Sequence, residues 1–499
     1  MWRNTNGETM LKPLCEQNGI PVYGLYVNGQ WVASAQEVLA PDHSPADNTL
    51  IAYVHQASAI EIEAALHSAQ RAAKDWAATL VATKEALFFR LREVILARRT
   101  EIQQLLIRES GSAFKKALWE IDYVVDLIQT MVGEIRRIAG ETMPTTIDGR
   151  VSLSFRQPLG VVLGICPFNS PFLLTMKKVV PAVAAGNAII IKPSEETPLS
   201  GLLIADLFDE AGLPPGVLNV INAAVSDVSP ALTEDARIKA ITFTGSTRTG
   251  RLLAEGAARG LKRITLEMGG KGPLVVLRDA DLDAAVRAAT FGAFLHQGQV
   301  CMAGSRVIVD ASLHDVFCER FVERAQNVRV GPPEQEDTVV GPLIRLSQCA
   351  FIAGQIEDAV SKGAIVQCGG TYEGPYFAPT VLSDVTPDMR IYHEESFGPV
   401  VSVLRAHDTQ DALRLANDTA YGLSAAVMTE NLRDAWYFAQ NIEAGMVHIN
   451  DSTISDEPHV PFGGVKNSGF GREGGRYSIE EMTELKWVTF QTGKASFPF

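Results

Sequence analysis

Two residues in the stretch 264–309, ITLEMGGKGPLVVLRDADLDAAVRAATFGAFLHQGQVCMAGSRVIV, have side chains suited to covalent work on a carbonyl carbon: Cys301 and Glu267. A thiolate attacks such carbon well once its pKa is lowered or a base stands near. A carboxyl set in an apolar run has a raised pKa, which suits it to take a proton from water near neutral pH. Both residues fall at the ends of expected regular elements, Glu267 beside Gly269 and Gly270, Cys301 between Gly298 and Gly304. Backbone can approach a ligand closely at such places. A lone Cys, however, is more often a small inert core residue, and a lone Glu a solvated strand end. Their meaning depends on what holds them.

The elements around them follow from the pattern. A strand is expected over 273–277 and a helix from about 279–283, where Asp279, Asp281 and Asp283 suit the free N–H groups of a first turn. A loop over 296–299 and a strand over 306–309 complete the stretch. Upstream, residues 24–33 alternate about an Asn-Gly pair, a hairpin signal. Three- and four-residue apolar spacing predicts long helices over 58–78, 82–110 and 112–138.

From Leu159 to Leu266 strands alternate with helices. VVLGI, AIIIK, VLNVI, IKAITF and RITL are the strands; helices are expected over 171–185, 199–211, near 228–234 and over 247–258. Such alternation means a parallel sheet covered on both faces. Its ligands lie beyond the C-terminal strand ends, where loops meet helix N-termini. Polar groups stand at three of those ends: Asn169 in CPFNSP, Lys192, Ser194 and Glu195 in KPSEE, and Thr244, Gly245 and Ser246 in TGST. Singly, each reads as readily as a cap or turn. Three loops on one sheet edge favour a nucleotide crevice, with Ser246 and its backbone facing a phosphate and Lys192 and Glu195 facing ribose hydroxyls. GSTRTGR lacks the Lys-Ser/Thr of a P-loop, and no GxGxxG follows a strand.

Composition narrows the classes. The 499 residues allow two or three lobes, and 46 % apolar content is a globular value. A net charge of −14 with no long Lys/Arg run argues against nucleic acid or an anionic membrane as partner. Cys15, Cys166, Cys301, Cys318, Cys349 and Cys368 are scattered, without CxxC or Cys/His clusters, so neither a metal site nor a disulfide framework is expected. The N-terminal stretch lacks an apolar signal core, and the most apolar region, 160–192, is interrupted by Asn169, Lys177, Lys178 and Asn187. A soluble cytoplasmic protein is expected.

Taken together, CPFNSP, IIKPSEETP, FTGST, LEMGGKGP with GQVCMAGSR, HEESFGPVV and PFGGVKNSGFGREGG closely resemble the aldehyde dehydrogenase superfamily, over nearly the whole chain after residue 24. The resemblance implies an α/β fold with a Rossmann-type cofactor-binding domain (20–138 and 157–265), an α/β catalytic domain (266–460) and a small β oligomerisation arm (139–156 and 484–499). It implies Cys301 as nucleophile, Glu267 as general base, and Asn169 with the Cys301 N–H as oxyanion donors, with Lys178 and Glu473 assisting proton movement. Cofactor contacts carried over are Lys192 and Glu195 at the adenine ribose, Ser246 at a phosphate, Glu395 at the nicotinamide ribose and Phe397 at its ring, with Phe168, Ser194, Phe243 and Gly245 beside them. NAD is the expected cofactor, because the Glu195 carboxylate repels a 2′-phosphate, with NADP as the alternative. The chain departs from many members at INAAVSDV, where they carry glycines. Glu267 favours hydrolysis to a free acid over transfer to coenzyme A.

Residues 445–464 resemble the aryl-aldehyde branch, which includes benzaldehyde, vanillin and salicylaldehyde dehydrogenases, and the loop from Asn450 to His459 would wall the substrate mouth. Phe168, Phe172 and Met302 read equally as pocket or core. An aromatic aldehyde is the expected substrate. The alternatives are a broad, aliphatic or semialdehyde dehydrogenase and a catalytically idle relative; a kinase is disfavoured by the failed P-loop. The arm 141–156 and the uncovered strand at 486–493 imply a homodimer or homotetramer. The glycine-rich 461–475 matches the family's C-terminal signature and is expected to be a mobile loop, with a mere linker as the plainer alternative.

Overall fold

The computed structural model describes residues 11–224 and 231–499. The Asn-Gly hairpin forms as β1 (Leu25–Val27) and β2 (Gln30–Val32), with Asn28 and Gly29 both at positive φ. Helix α1 (Ala59–Ala77) opens on a capping box in which Ser58 and Glu61 satisfy each other's backbone donors. The helix expected over 82–110 is two helices, α2 (Val81–Ala97) and α3 (Arg99–Ser110). They break at Arg98, whose guanidinium reaches Glu101 at 2.6 Å, Asp206 at 2.8 Å and Glu210 at 2.9 Å. Helix α4 (Phe114–Ile135) follows.

The arm contributes β3 (Arg150–Pro158), and the alternating region after it folds as expected: β4 (Val161–Ile165), α5 (Pro171–Ala184), β5 (Ala188–Lys192), α6 (Pro198–Glu210), β6 (Leu218–Val220), β7 (Ile238–Thr244), α7 (Thr247–Arg259) and β8 (Arg263–Glu267). Of the helix expected near 228–234, residues 228–230 lie outside the described residues, as do 225–228 of INAAVSDV. VVLGI and AIIIK are buried throughout, as continuous apolar runs must be in a sheet covered on both faces.

A second set of strands runs β9 (Pro273–Val276), β10 (Arg306–Asp310), β11 (Thr380–Ser383), β12 (Val400–Ala406), β13 (Ser424–Met428) and β14 (Met446–Ile449). Helix α8 (Leu282–Phe294) is capped by Asp281, which accepts from the Ala284 N–H. These strands form a seven-stranded sheet in the order 365–368, β11, β12, β10, β9, β13, β14, parallel apart from its 365–368 edge.

The chain then returns. Residues 461–475 are no linker: β15 (Gly469–Phe470) pairs antiparallel with β8 and becomes the edge of the first sheet. That sheet has eight strands in the order β15, β8, β7, β4, β5, β6, β1, β2. Gly469 cannot be replaced there, because a Cβ would lie 1.8 Å from the Leu266 carbonyl oxygen. The last strand, β16 (Thr483–Gln491), pairs with β3 through nine register positions, and Thr142–Met143 flanks the other side of β3. The free edge of β16 carries exposed Leu485, Trp487 and Phe490.

Candidate active site

Beyond the C-terminal ends of β4, β5 and β7 lies a crevice of about 450 Å³. It is lined by Phe168, Asn169, Lys192, Ser194, Glu195, Phe243, Gly245, Ser246, Glu267, Cys301, Glu395 and Phe397, residues drawn from six separate segments of the sequence. Lys178 and Glu473 do not border it. They form a buried pair, Lys178 Nζ to Glu473 Oε1 at 3.0 Å, and the same ammonium donates to Thr244 Oγ1 at 2.7 Å and Thr242 Oγ1 at 3.2 Å. Thr244 is the register partner of Glu267 across β7 and β8, so this pair sits one strand away from Glu267.

Glu267 ends β8 and is 3 % exposed, and neither carboxylate oxygen has a hydrogen-bond partner in the protein. Buried polar groups are rarely left so, and each exception calls for an explanation. Burial, with the Glu473 carboxylate adding to it, holds the Glu267 carboxyl well above its ordinary value, against the opposing pull of Lys178 and Lys177. Cys301 lies in the turn between α8 and β10, reached through a tight 295–298 turn in which His296 and Gln297 adopt positive φ. Burial and the carboxylates of Glu267 and Glu395 push its thiol up to about 12. Gly270 must lack a side chain, since a Cβ there would meet the Cys301 carbonyl oxygen at 2.2 Å. The loop carrying Glu267 is thereby seated against the Cys301 turn. The unpartnered carboxyl thus stands in the same crevice as the thiol.

Asn169 follows β4 and is 5 % exposed; its side-chain amide donates to the Gln299 carbonyl at 2.8 Å, which ties it to the segment leading into Cys301. Its own carbonyl accepts from Lys116 Nζ at 2.8 Å. Lys116 pairs with Glu120 one turn along α4, and the other Glu120 oxygen accepts the Phe172 and Leu173 N–H groups at 2.9 Å each, capping the start of α5. Sequence reasoning missed Lys116 and Glu120. Their one signal is an i, i+4 charge pair on a helix, which ordinarily marks a solvated face.

The far end of the crevice suits a dinucleotide. Lys192 Nζ and Glu195 Oε1 lie 3.1 Å apart, a donor and an acceptor side by side for a ribose diol. Ser246 caps α7, whose first-turn N–H groups favour an anion. Gly245 leaves no room for a Cβ, which would stand 2.6 Å from the Phe243 ring. Nearer Cys301, the Phe168 and Phe397 rings meet edge to face at 5.9 Å, and Glu395, pushed up to about 7 mainly by burial, accepts from the Gly270 N–H at 2.8 Å. A Cβ on Gly269 would lie 2.3 Å from the Glu395 carboxylate. Of the aromatic candidates, Phe172 is fully buried in the core of the first lobe, Met302 belongs to a small apolar cluster beside Cys301, and Phe168 lines the crevice. Among the described residues there is no group of three or more His, Cys, Asp or Glu that could hold a metal ion, and no helix long and apolar enough to cross a membrane.

Known proteins resemble this chain in sequence and fold. The sequence profile of the aldehyde dehydrogenase family matches residues 31–488. A vanillin dehydrogenase of Corynebacterium glutamicum is 44 % identical over 473 residues, covering 94 % of this chain and 98 % of that one. An NAD(+) benzaldehyde dehydrogenase of Pseudomonas putida is 39 % identical, covering 96 % and 98 %. The crystal structure of a salicylaldehyde dehydrogenase from Pseudomonas putida G7, complexed with salicylaldehyde, superposes with a TM-score of 0.94 at 36 % identity, covering 96 % of this chain and all of that one. With the profile spanning almost the whole chain and these relatives matched end to end, the protein belongs to the aldehyde dehydrogenase family.

Proposed function

We propose that the protein oxidises an aromatic aldehyde to the carboxylic acid with NAD, using Cys301 as nucleophile and Glu267 as base. The observation that carries the reading is the meeting of Cys301, Asn169 and the doubly unpartnered Glu267 in one crevice whose other end presents Lys192 and Glu195. The relatives that match end to end are named for aromatic aldehydes, and Met302, Ile454 and Phe462 form apolar packing beside Cys301.

Sulfur attack on the aldehyde carbon forms a thiohemiacetal, the thiol proton passing to Glu267 or water. The developing oxyanion accepts from the Asn169 amide and the Cys301 N–H, preorganised donors of a kind worth about 10²–10³ in rate each. Lys192, Glu195, the start of α7, Glu395 and Phe397 would hold NAD, which would supply the acceptor for the hydride lost from the former aldehyde carbon as the thiohemiacetal becomes a thioester. Glu267 then takes a proton from water, which adds to the thioester carbonyl, and the Cys301 sulfur leaves as the acid departs. Lys178 and Glu473 set the charge beneath Glu267. The carboxylate of Glu195 at the ribose position disfavours the 2′-phosphate of NADP.

The same reading takes 20–138 with 157–265 as the cofactor-binding domain, 266–460 as the catalytic domain, and 139–156 with 484–499 as the oligomerisation arm. The open apolar edge of β16 supports pairing with a second subunit, giving a dimer or a dimer of dimers. Six unpaired cysteines support a reducing compartment such as the cytoplasm. The test is NADH formation with benzaldehyde, a hydroxybenzaldehyde, hexanal and succinic semialdehyde, repeated with NADP. Higher kcat/KM for the aromatic pair is expected. A preference for hexanal or the semialdehyde overturns the substrate class, and faster NADPH formation overturns the cofactor.

A further inference from the structure

Two cationic side chains border the cofactor crevice among the described residues, Lys192 and Arg345. Each is already engaged by a carboxylate from the loop between β5 and α6. Lys192 Nζ lies 3.1 Å from Glu195 Oε1. The Arg345 Nε–H donates to Glu196 Oε1 at 2.6 Å, and a terminal guanidinium nitrogen stands 2.6 Å from the same oxygen. The loop turns tightly around these glutamates: the Glu196 N–H donates to Ser194 Oγ and the Thr197 N–H to the Ser194 carbonyl, both at 3.2 Å. Neighbouring carboxylates thus hold different cations.

The two pairs differ in kind. Lys192 has a buried side chain and its partner lies in its own loop. Arg345 comes from the other lobe, just before the helix Leu346–Ser361, and the side chains of Arg345 and Glu196 are 53 % and 29 % exposed. An ion pair so open to water holds weakly, and an incoming anion can displace it. A guanidinium fork is also the side chain that best matches a phosphate. Arg345 is therefore the exchangeable cation of the crevice. On its other side lies a second cavity of about 560 Å³, lined by Asp42, Asp47, Glu195 and Glu196, with no lysine and no other arginine among its described lining residues. That acidic field favours Arg345 staying with Glu196 over its turning to an anion in the crevice.

We infer that Glu196 is a second determinant of cofactor choice and acts by holding Arg345. Glu195 repels a 2′-phosphate, and Glu196 withholds the one exchangeable cation that could neutralise it. This rests on the proposed placement of the adenine ribose at Lys192 and Glu195, and names how that same site rejects the phosphorylated dinucleotide. Each crevice cation is matched to a glutamate of its own, so a third phosphate finds none to spare.

The experiment is equilibrium binding without aldehyde: fluorescence titration with NADH and with NADPH, then displacement of NADH by adenosine 2′,5′-bisphosphate and by 5′-AMP. The second pair isolates the 2′-phosphate from the nicotinamide half. The unvaried protein should bind NADH more tightly than NADPH. Glu196→Gln keeps the shape and frees Arg345. It should move the NADPH-to-NADH affinity ratio towards NADPH by on the order of tenfold, and the bisphosphate-to-AMP ratio by a like factor. Adding Arg345→Met should return both ratios to within about threefold of the unvaried values. A general loosening of the loop weakens both cofactors alike and leaves the ratios where they were. Ratios that stay put in Glu196→Gln overturn the inference, and so does a gain that survives Arg345→Met; in either case the NAD reading stands. If the unvaried protein binds NADPH as tightly as NADH, the NAD preference itself has failed and this inference goes with it.

Discussion

Replacing Glu473 by Gln tests the electrostatic setting of the base. Among charged neighbours Glu473 makes the largest contribution holding the Glu267 carboxyl up, and Lys178, Lys177 and Arg472 oppose it. The amide keeps an oxygen for Lys178 Nζ, now 3.0 Å from Glu473 Oε1, but removes the negative charge. It also leaves the Lys178 ammonium uncompensated. Both changes favour ionised Glu267, so its pKa must fall. Thr244 lies opposite Glu267 on adjacent strands and touches Lys178 Nζ at 2.7 Å. Glu473 and Lys178 thus lie close enough to Glu267 for their charges to act on it. The acid limb of thioester hydrolysis should therefore move to lower pH. Stability should drop by about 3–5 kcal/mol, because one partner of a buried pair is gone. The assay is a single turnover with NAD and benzaldehyde, following loss of the acyl adduct from the intact-protein mass between pH 5 and 9, with urea unfolding alongside. A limb that stays in place, or moves to higher pH, refutes the coupling.

Three further perturbations bear on separate parts of the site. Asn169→Ala should lower kcat by about 10²–10³ with little change in NAD affinity, since it removes one oxyanion donor; steady-state kinetics and fluorescence titration separate the two. Gly269→Ala drives a methyl group into the Glu395 carboxylate. It should weaken NAD binding by at least tenfold while far-ultraviolet circular dichroism stays unchanged, and undiminished affinity would remove Glu395 from the cofactor site. Lys116→Met strands Glu120 and frees the Asn169 carbonyl. It should cost about 3–5 kcal/mol in chemical denaturation and, by letting Asn169 shift, on the order of 10² in kcat.

Much of this was legible in the sequence because the central strands are short, largely apolar and sharply bounded. VVLGI, AIIIK and IKAITF admit few other places in a protein, and the polar residues at their ends had to gather on one sheet edge. What stayed hidden depends on distant partners. The break at Arg98 carries neither Gly nor Pro; it coincides with contacts to Asp206 and Glu210, more than a hundred residues away. β15 is two residues long, too short for any period, so nothing local shows that 461–475 re-enters the first sheet and brings Glu473 beneath Glu267. Lys116 with Glu120, and Lys177 with Asp456, have the look of solvated charge until their burial is known.

The most direct test of the central claim is a burst experiment on Glu267→Gln. With NAD and benzaldehyde this variant should form close to one equivalent of NADH per active site and then stall. Its mass should rise by one benzoyl group, and proteolysis should place that group on the peptide containing Cys301. Sustained turnover at the unvaried rate, or an adduct on a peptide lacking Cys301, would contradict the account.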